Sequence, residues 1–341
     1  MRPFSYTRAG SIQEAVDALL SNPAAKIIAG GTNLVDLMKY DVERPNQLVD
    51  VTRISGLDAI TDGPNGGLRI GALVPNADAA YDPRIESGYP LLASAILAGA
   101  TGQLRNAAST GGNLNQRTRC YYFYDPKTPC NKREPGSGCP AIDGVNRIHA
   151  ILGQSEQCIA THPSDMCVAL SALETVVHVH GRDGERAIPM ASYHRLPGDE
   201  PHLDNTLRPH EIVTAVELPG ALQSFKSHYT YLKLRDRLSY AFALVSVAVG
   251  LEMDGNTIKK ARIALGGVAH KPWRRPDAED RLVGRAADEV AFASAADVLL
   301  EGAHGYEHNA FKIDLARKAV VRALSQAAAG TPQSQIDKRI L

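Results

Sequence analysis

Four of the five cysteines in this 341-residue chain lie in one stretch, residues 119–159. They are Cys120, Cys130, Cys139 and Cys158. The stretch is rich in glycine and proline and shows little helix or strand periodicity, so we expect it to bury too little apolar surface to order itself. Four thiolates on one metal centre would hold such a loop in place. This feature predicts an inorganic cofactor and, with it, electron transfer.

Three chemistries use cysteine in this way. Zinc sites normally show a tight Cys-x-x-Cys spacing, which is absent from the loop. Disulfides are commonest in short secreted chains, whereas this chain is long and its N-terminus lacks the apolar stretch of a signal peptide. An iron–sulfur cluster needs four thiolates and tolerates irregular spacing, because the loop wraps around the cluster. We therefore favour a cluster and keep zinc as the next alternative.

The fifth cysteine has a different setting. Cys167 lies at the start of a predicted helix, 164–173, for which Ser164 is a suitable N-cap. At such a position a cysteine usually behaves as a small core residue. We interpret Cys167 as structural and keep it as the substitute for Cys158 should that residue not be a ligand.

Composition excludes several classes of protein. Lysine plus arginine equals aspartate plus glutamate at 37 each, which favours neither nucleic acid nor an anionic membrane as a partner. Hydrophobic and charged contents of 44% and 22% argue against disorder. The length exceeds what one core usually serves, so two or three subdomains are expected. No apolar run is long enough to cross a bilayer, and we expect a cytoplasmic protein unless a partner carries it elsewhere.

Hydrophobic periodicity and turn signals predict a mixed α and β chain. Ser11 and Glu14 have the spacing of a capping box at the start of a helix. Strands are predicted at 26–29, 48–51, 68–73, 176–180, 211–219, 229–234, 242–251 and 263–268, and helices at 34–39, 91–100, 164–173, 289–300 and 311–328. After residues 219–225 the chain alternates strands with turns and then becomes helical, which predicts a domain boundary near 219–225.

Two glycine-containing segments of the chain could bind a phosphate. In Ile28–Asn33 a strand, a glycine turn and a helix start follow one another, and glycine lets backbone N–H groups approach a phosphate. The segment lacks the Gly-x-Gly-x-x-Gly fingerprint and a Walker lysine, so alone it reads more readily as a plain turn. Ser109–Asn113 precedes the cysteine loop, and Asp165 after it could cap a helix or hold a ribose-like hydroxyl. Their clustering around one loop favours a nucleotide cofactor.

Six motifs along the chain carry a family likeness: Ala29–Asn33, Gln103–Asn106, Ser109–Asn113, His162–Asp165, Leu207–Glu211 and Ala264–Ala269. Through them the chain resembles the FAD-binding subunits of the xanthine dehydrogenase, or molybdenum hydroxylase, family from Phe4 to about Ala328. The cysteine loop, absent from ordinary members, is similar to the [4Fe-4S]-binding insertion of the periplasmic aldehyde oxidoreductase branch.

The resemblance assigns roles to individual residues. It implies that FAD is held by Lys26, Ile27, Ile28, Ala29, Gly30, Gly31, Thr32, Asn33 and Leu34 around the pyrophosphate, by Ser109, Thr110, Gly111, Gly112 and Asn113, by Asp165 at the ribityl chain and by Lys233 at the isoalloxazine edge. From sequence alone Lys233 could equally be a solvated strand lysine. The resemblance also implies that Cys120, Cys130, Cys139 and Cys158 bind the [4Fe-4S] cluster. It implies no catalytic residue on this chain.

The implied fold class is α+β. A vanillyl-alcohol-oxidase-type (PCMH-type) FAD-binding fold in two α/β subdomains would precede a three-stranded sheet with helices, like the C-terminal domain of CO dehydrogenase flavoproteins. The predicted divisions are 1–55, 56–222 with the iron–sulfur insertion at 116–160, 223–330, and a tail at 331–341.

The implied activity is electron transfer in a heterotrimeric aldehyde oxidoreductase. Partner subunits would carry the molybdenum cofactor and the [2Fe-2S] clusters, and electrons would leave through FAD to an external acceptor. The cluster could be a relay, but we favour a structural role for it. Alternatives are a flavoprotein subunit of another molybdenum hydroxylase, of the xanthine dehydrogenase or 4-hydroxybenzoyl-CoA reductase type, a self-sufficient flavin oxidase, or a zinc-stabilised scaffold. The branch likeness implies a periplasmic complex, exported with a signal-bearing partner.

Overall fold

The computed structural model describes residues 1–220 and 225–335. Its first unit contains β1 (Ser5–Arg8), α1 (Ile12–Ser21), β2 (Ala25–Ile28), α2 (Leu34–Lys39) and β3 (Gln47–Asp50). The three strands form a parallel sheet in the order β1-β3-β2. Ala15, Val16 and Val49 are buried where α1 packs on this sheet. The end of β2 leads directly into the first glycine segment, so the sheet fixes where that segment begins.

The second unit is built on a five-stranded antiparallel sheet. Its strands are β4 (Ile60–Asp62), β5 (Leu68–Gly71), β6 (Val176–Gly181), β7 (Gly184–Pro189) and β8 (Ile212–Leu218). Their order is β4-β5-β8-β6-β7. The helices are α3 (Asn76–Tyr81), α4 (Pro83–Gly88), α5 (Pro90–Ala98), α6 (Gly102–Ala107), α7 (Thr110–Leu114), α8 (Tyr121–Tyr124), α9 (Asp165–Ala172) and α10 (Met190–Tyr193).

The third unit is a three-stranded antiparallel sheet covered by helices. It contains β9 (Tyr229–Leu234), β10 (Val245–Asp254), β11 (Thr257–Gly266), α11 (Pro276–Asp280), α12 (Glu289–Leu299) and α13 (Phe311–Ala328). Alternate residues of a strand face opposite sides of its sheet. Accordingly, Val247 and Val249 join the core formed with α12 and α13, whereas Tyr231 and Ala248 join the core formed with α5 and α9. The two faces of this sheet therefore pack against two different cores, that of the second unit and that of the third.

This architecture confirms the predicted α+β class and the C-terminal three-stranded sheet. Both predicted helix caps are present. The Ser11 hydroxyl accepts a hydrogen bond from Glu14 N at 3.1 Å, and the Glu14 carboxylate accepts one from Gly10 N at 2.8 Å. The Ser164 hydroxyl accepts from Cys167 N at 3.1 Å and so begins α9. These caps satisfy N–H groups that a helix start leaves without partners.

The cysteine loop is irregular, as predicted, and polar contacts help to hold it, while its need for a metal centre stays a prediction. Arg133 donates hydrogen bonds to the carbonyl oxygens of Tyr122 and Phe123 at 2.9 and 2.8 Å. The Asn131 amide donates to the Gln157 carbonyl at 3.0 Å. Phe123 is fully buried. Long polar side chains folded back onto the loop supply contacts that a count of apolar residues overlooks.

Several features lie beyond the sequence predictions. Strands β1 and β7 and the short helices α3 and α4 were not expected, because such short elements carry little periodicity. The predicted division between residues 222 and 223 and the end of the tail, 336–341, fall outside the described residues, and the division at 55–56 stays a prediction. Among the helices of the described residues, none is both long and apolar enough to span a membrane.

Candidate cofactor site

The two glycine segments face each other across one cavity of about 420 Å³ between the first and second units. All residues of 26–34 line this cavity, which we call the first cavity, and Ser109, Gly111 and Gly112 line it from the other side. Arg208, from the motif at 207–211, borders the same space. The fold thus brings together segments that are far apart in the sequence.

Gly30 is the point at which the two walls touch. A Cβ atom at Gly30 would lie 1.7 Å from the carbonyl oxygen of Ala107, at the end of α6. Any side chain there would push the two walls apart. Gly31 has a φ of +69°, in the left-handed region that favours glycine. The first glycine segment therefore has a packing requirement that a plain turn does not explain.

Unpartnered hydrogen-bond donors surround the first cavity. Within the described ranges, the backbone N–H groups of Gly30, Gly31 and Thr32 have no acceptor. The buried Nδ2 of Asn33 also has no partner, while its Oδ1 accepts from Arg117 N at 2.9 Å. Consecutive N–H groups in a concave loop bind anions. The residues present therefore fit a pyrophosphate.

Two residues of the second glycine segment turn away from the first cavity. The Thr110 hydroxyl donates to the Val74 carbonyl at 3.0 Å. The Asn113 amide donates to Asn76 Oδ1 at 2.7 Å, and Asn113 Oδ1 accepts from the Ser164 hydroxyl at 2.7 Å. These bonds fix the segment against α3 and the start of α9. Thr110 and Asn113 hold the wall in position without lining it.

A second cavity of about 500 Å³ lies between the second and third units. Its walls combine charged and aromatic side chains, among them Arg119, Tyr121, Asp165, Tyr240 and Phe242. Tyr240 is 78% exposed, so the wall from the third unit is open to solvent. A polar and aromatic lining of this kind suits a flat ring system with hydrogen-bonding edges.

Asp165 and Lys233 form a buried ion pair behind the second cavity. Lys233 Nζ lies 2.7 Å from Asp165 Oδ2 and also donates to the Ala98 carbonyl at 3.1 Å. The Tyr231 hydroxyl donates to Asp165 Oδ1 at 2.7 Å, and burial raises the pKa of Tyr231 well above its usual value. Only 4% of the Lys233 side chain is exposed, so the alternative of a solvated strand lysine is wrong. Asp165 lines the second cavity, whereas Lys233 stands behind it.

All four cysteines of the loop line one small cavity, which we call the cysteine cavity. Three of them are buried, Cys139 is half-buried, and none forms a disulfide. Within the described residues, no three of these four sulfurs lie within 4.8 Å of one another. A tetrahedral zinc ion, with bonds of about 2.3 Å, would draw the sulfurs to about 3.8 Å apart. Within the described part of the chain, no three of these sulfurs have the mutual spacing that one bound zinc ion would give them.

Three thiols of the cysteine cavity have pKa values shifted by their surroundings. Burial raises the pKa of Cys120 to about 12, and His149 Nε2 lies 3.1 Å from its sulfur. A hydrogen bond from Cys158 lowers the pKa of Cys139 to about 6, and the same contact raises that of Cys158. Ala160 N donates to the Cys158 sulfur at 3.4 Å. Buried thiolates need a compensating charge, which a bound metal centre supplies.

An ion-pair network that the sequence did not reveal links the cysteine loop to the first cavity. Arg117 donates to Glu43 and, at 2.9 Å, to Asp204, while Lys26 lies 3.8 Å from Glu43. Lys132, which lines the cysteine cavity, pairs with Asp204. Burial alone would raise the pKa of Asp204, but the charges of Lys132 and Arg117 lower it well below its usual value. No local motif signals this network, because its members come from four separate segments.

Comparisons with known families divide the chain into two matched regions. Residues 2–221 match the family described as the FAD binding domain in molybdopterin dehydrogenase. Residues 229–327 match the CO dehydrogenase flavoprotein C-terminal domain.

Individual relatives match over nearly the full length. The aldehyde oxidoreductase FAD-binding subunit PaoB of Escherichia coli is 49% identical over 96% of this chain and 99% of its own. The carbon monoxide dehydrogenase medium chain of Hydrogenophaga pseudoflava is 28% identical over 95% and 96%. Among solved structures, quinoline 2-oxidoreductase from Pseudomonas putida 86 superposes with a TM-score of 0.73 at 27% identity, covering 97% of this chain and 98% of that one.

Proposed function

Because this chain belongs to the FAD-binding subunits of the molybdenum hydroxylase family, we propose that it is the FAD- and [4Fe-4S]-binding subunit of a heterotrimeric aldehyde oxidoreductase. The observation that carries the proposal is the 49% identity with an aldehyde oxidoreductase subunit over 96% of the chain. Aldehyde oxidation to the acid would take place on a partner with the molybdenum cofactor. This subunit would pass electrons from the [2Fe-2S] centres of another partner to an external acceptor.

FAD supplies the exchange between one-electron and two-electron chemistry. In the proposed complex, residues 26–34 hold the pyrophosphate through the unpartnered N–H groups of the first cavity. Ser109, Gly111 and Gly112 close the opposite side. Asp165 accepts a hydrogen bond from a hydroxyl of the ribityl chain, because this residue lines the second cavity. The ion pair with Lys233 holds the Asp165 carboxylate in place.

The cysteine cavity is the proposed site of the [4Fe-4S] cluster, with Cys120, Cys130, Cys139 and Cys158 as ligands. In a cubane each thiolate binds a different iron, so the sulfurs stand further apart than they do around one zinc ion. Among the described residues, all four cysteines line one small cavity and no three of their sulfurs lie as close together as one zinc ion would hold them, which supports this choice over zinc. The hydrogen bond from Ala160 N to the Cys158 sulfur would stabilise the thiolate further.

The location of the complex is part of the same proposal. Export to the periplasm would depend on a partner that carries the signal and takes the folded subunit with it. Cell fractionation with and without the molybdenum subunit tests this, and a periplasmic pool in the absence of that partner would contradict it.

Cofactor analysis of the purified protein tests the proposed function. We expect one FAD released on denaturation, together with about four irons and acid-labile sulfide per chain. Cys130→Ser should lose the iron and keep FAD. Cys167→Ser, which lies outside the cysteine cavity, is the matched control and should keep both. Zinc in place of iron would overturn the cluster, absence of flavin would overturn the FAD site, and aldehyde oxidation by the chain alone would favour a self-sufficient oxidase.

A further inference from the structure

Outside the cysteine cavity, three buried metal-ligand side chains meet at one point. A ring nitrogen of His162, a ring nitrogen of His194 and the Cys167 sulfur all lie within 4.8 Å of one another. His162 precedes α9, Cys167 lies in the first turn of α9, and His194 follows α10. Two separate segments thus contribute the three donors.

Each imidazole of this group offers a nitrogen that nothing else uses. The Nε2 of His194 lies 2.9 Å from the Leu114 carbonyl and must therefore carry its proton as a donor. The Nδ1 of His194 then has a lone pair, and it has no partner. The Nε2 of His162 also lacks a partner. Both residues are buried, His194 at 3% and His162 at 9% exposure.

The Cys167 thiol is also available to a metal. It makes only a long contact of 4.0 Å, to the Asn113 carbonyl. A metal ion binding there would replace the thiol proton. The hydrogen bond of His194 to Leu114 would orient the ring, as outer contacts of metal-bound histidines do.

We infer that His162, His194 and Cys167 bind one zinc ion, with a fourth position left for a small ligand. One thiolate and two imidazoles form a donor set that zinc prefers over magnesium or calcium. His162 also lines the second cavity, as do Ser164 and Asp165, which lie between His162 and Cys167 in the sequence. The ion would tie the wall of that cavity to the segment after α10. This inference does not depend on FAD or on the iron–sulfur cluster.

Metal analysis of the intact protein separates this site from the cysteine cavity. After incubation with zinc and gel filtration, the wild type should hold about one zinc per chain besides its iron. Cys167→Ala should lose the zinc while keeping iron, FAD and the circular dichroism spectrum, because alanine fits this buried helix position. His194→Asn should lose the zinc as well. Cys130→Ser should keep the zinc while losing the iron.

Cobalt provides a direct test of the ligands. Co²⁺ added to the wild type should produce a thiolate-to-cobalt charge-transfer band that Cys167→Ala abolishes. A wild-type protein that retains its iron and FAD yet binds neither zinc nor cobalt would overturn the inference. Zinc that persists in Cys167→Ala but disappears in Cys130→Ser would overturn it too, since that zinc would belong to the cysteine cavity. Neither result would affect the assignment of FAD or of the cluster.

Discussion

The guanidinium of Arg117 lies 2.9 Å from the carboxylate of Asp204, and this ion pair connects the first cavity to the cysteine cavity. On one side Asp204 pairs with Lys132, which lines the cysteine cavity. On the other side Arg117 pairs with Glu43, which lines the first cavity. The backbone N–H of Arg117 also binds Asn33 in the first glycine segment. A disturbance of the cysteine loop therefore has a direct route to the FAD cradle.

Arg117→Met should weaken FAD binding and destabilise the fold together. Removing the cation leaves Glu43 and Asp204 short of a partner, and we expect a loss of about 1–3 kcal/mol, less than for a fully buried pair because 21% of the Arg117 side chain is exposed. Urea unfolding and FAD titration measure the two effects. Arg317→Met, which breaks an exposed pair with Asp297, is the control and should leave both stability and FAD binding nearly unchanged. Equal effects of both variants would contradict the network.

Lys233→Met should destabilise the protein strongly, by about 3–5 kcal/mol, because it leaves the Asp165 carboxylate buried without its cation. Adding Asp165→Asn should restore much of that stability, because no buried charge is then left without a partner. The double variant should still bind little flavin, because it lacks the carboxylate that is proposed to contact the ribityl chain. Thermal unfolding and bound-flavin content separate the two effects. Lys259→Met, whose ion pair with Asp254 is exposed, serves as the control. Full flavin content in the double variant would show that Asp165 does not contact FAD.

Gly30→Ala should remove FAD and lower stability, because its Cβ would collide with the Ala107 carbonyl at 1.7 Å. The two walls of the first cavity would have to separate. Gly102→Ala is the matched control on the same helix as Ala107. A Cβ there meets no atom within 4 Å, and alanine favours a helix by about 1 kcal/mol over glycine. A loss of flavin and a loss of stability are thus expected in Gly30→Ala alone, while Gly102→Ala should keep its flavin and be no less stable. A Gly30→Ala variant with normal FAD would show that the walls move apart freely.

Local signals in the sequence predicted the parts of the fold that depend on local physics. The capping side chains of Ser11 and Ser164 act within a few residues, so their spacing sufficed. Strand β10 was visible because it is long and buried on both faces. Strand β1 was not, because its four residues are all exposed and show no alternation. Its place in the parallel sheet depends on pairing with β3, which no local pattern reveals.

The candidate site divides in the same way. The two glycine segments and the four cysteines could be selected as residue types whose chemistry suits phosphate and iron. Whether a given side chain faces a cavity depends on tertiary packing, so the inward turn of Thr110 toward Val74 could not be foreseen. Nor could the role of Lys132, whose 2% exposure and pairing with Asp204 depend on a distant segment.

His270→Asn should reduce the sensitivity of the fold to acid. Burial, reinforced by the charge of Lys132 and opposed by that of Asp204, lowers the pKa of His270 to about 4 from an unfolded value of 6.5. The neutral ring therefore contributes stability that is complete above pH 6.5 and is lost as the pH falls from 6.5 toward 4, because the unfolded chain takes up the proton first. At pH 5 the loss amounts to about 2 kcal/mol. Urea unfolding at pH 7.5 and pH 5 should show a smaller difference in the variant, in which the asparagine amide can still donate to the Arg195 carbonyl that Nδ1 of His270 contacts at 2.8 Å. An unchanged difference would mean that His270 takes up its proton equally in both states.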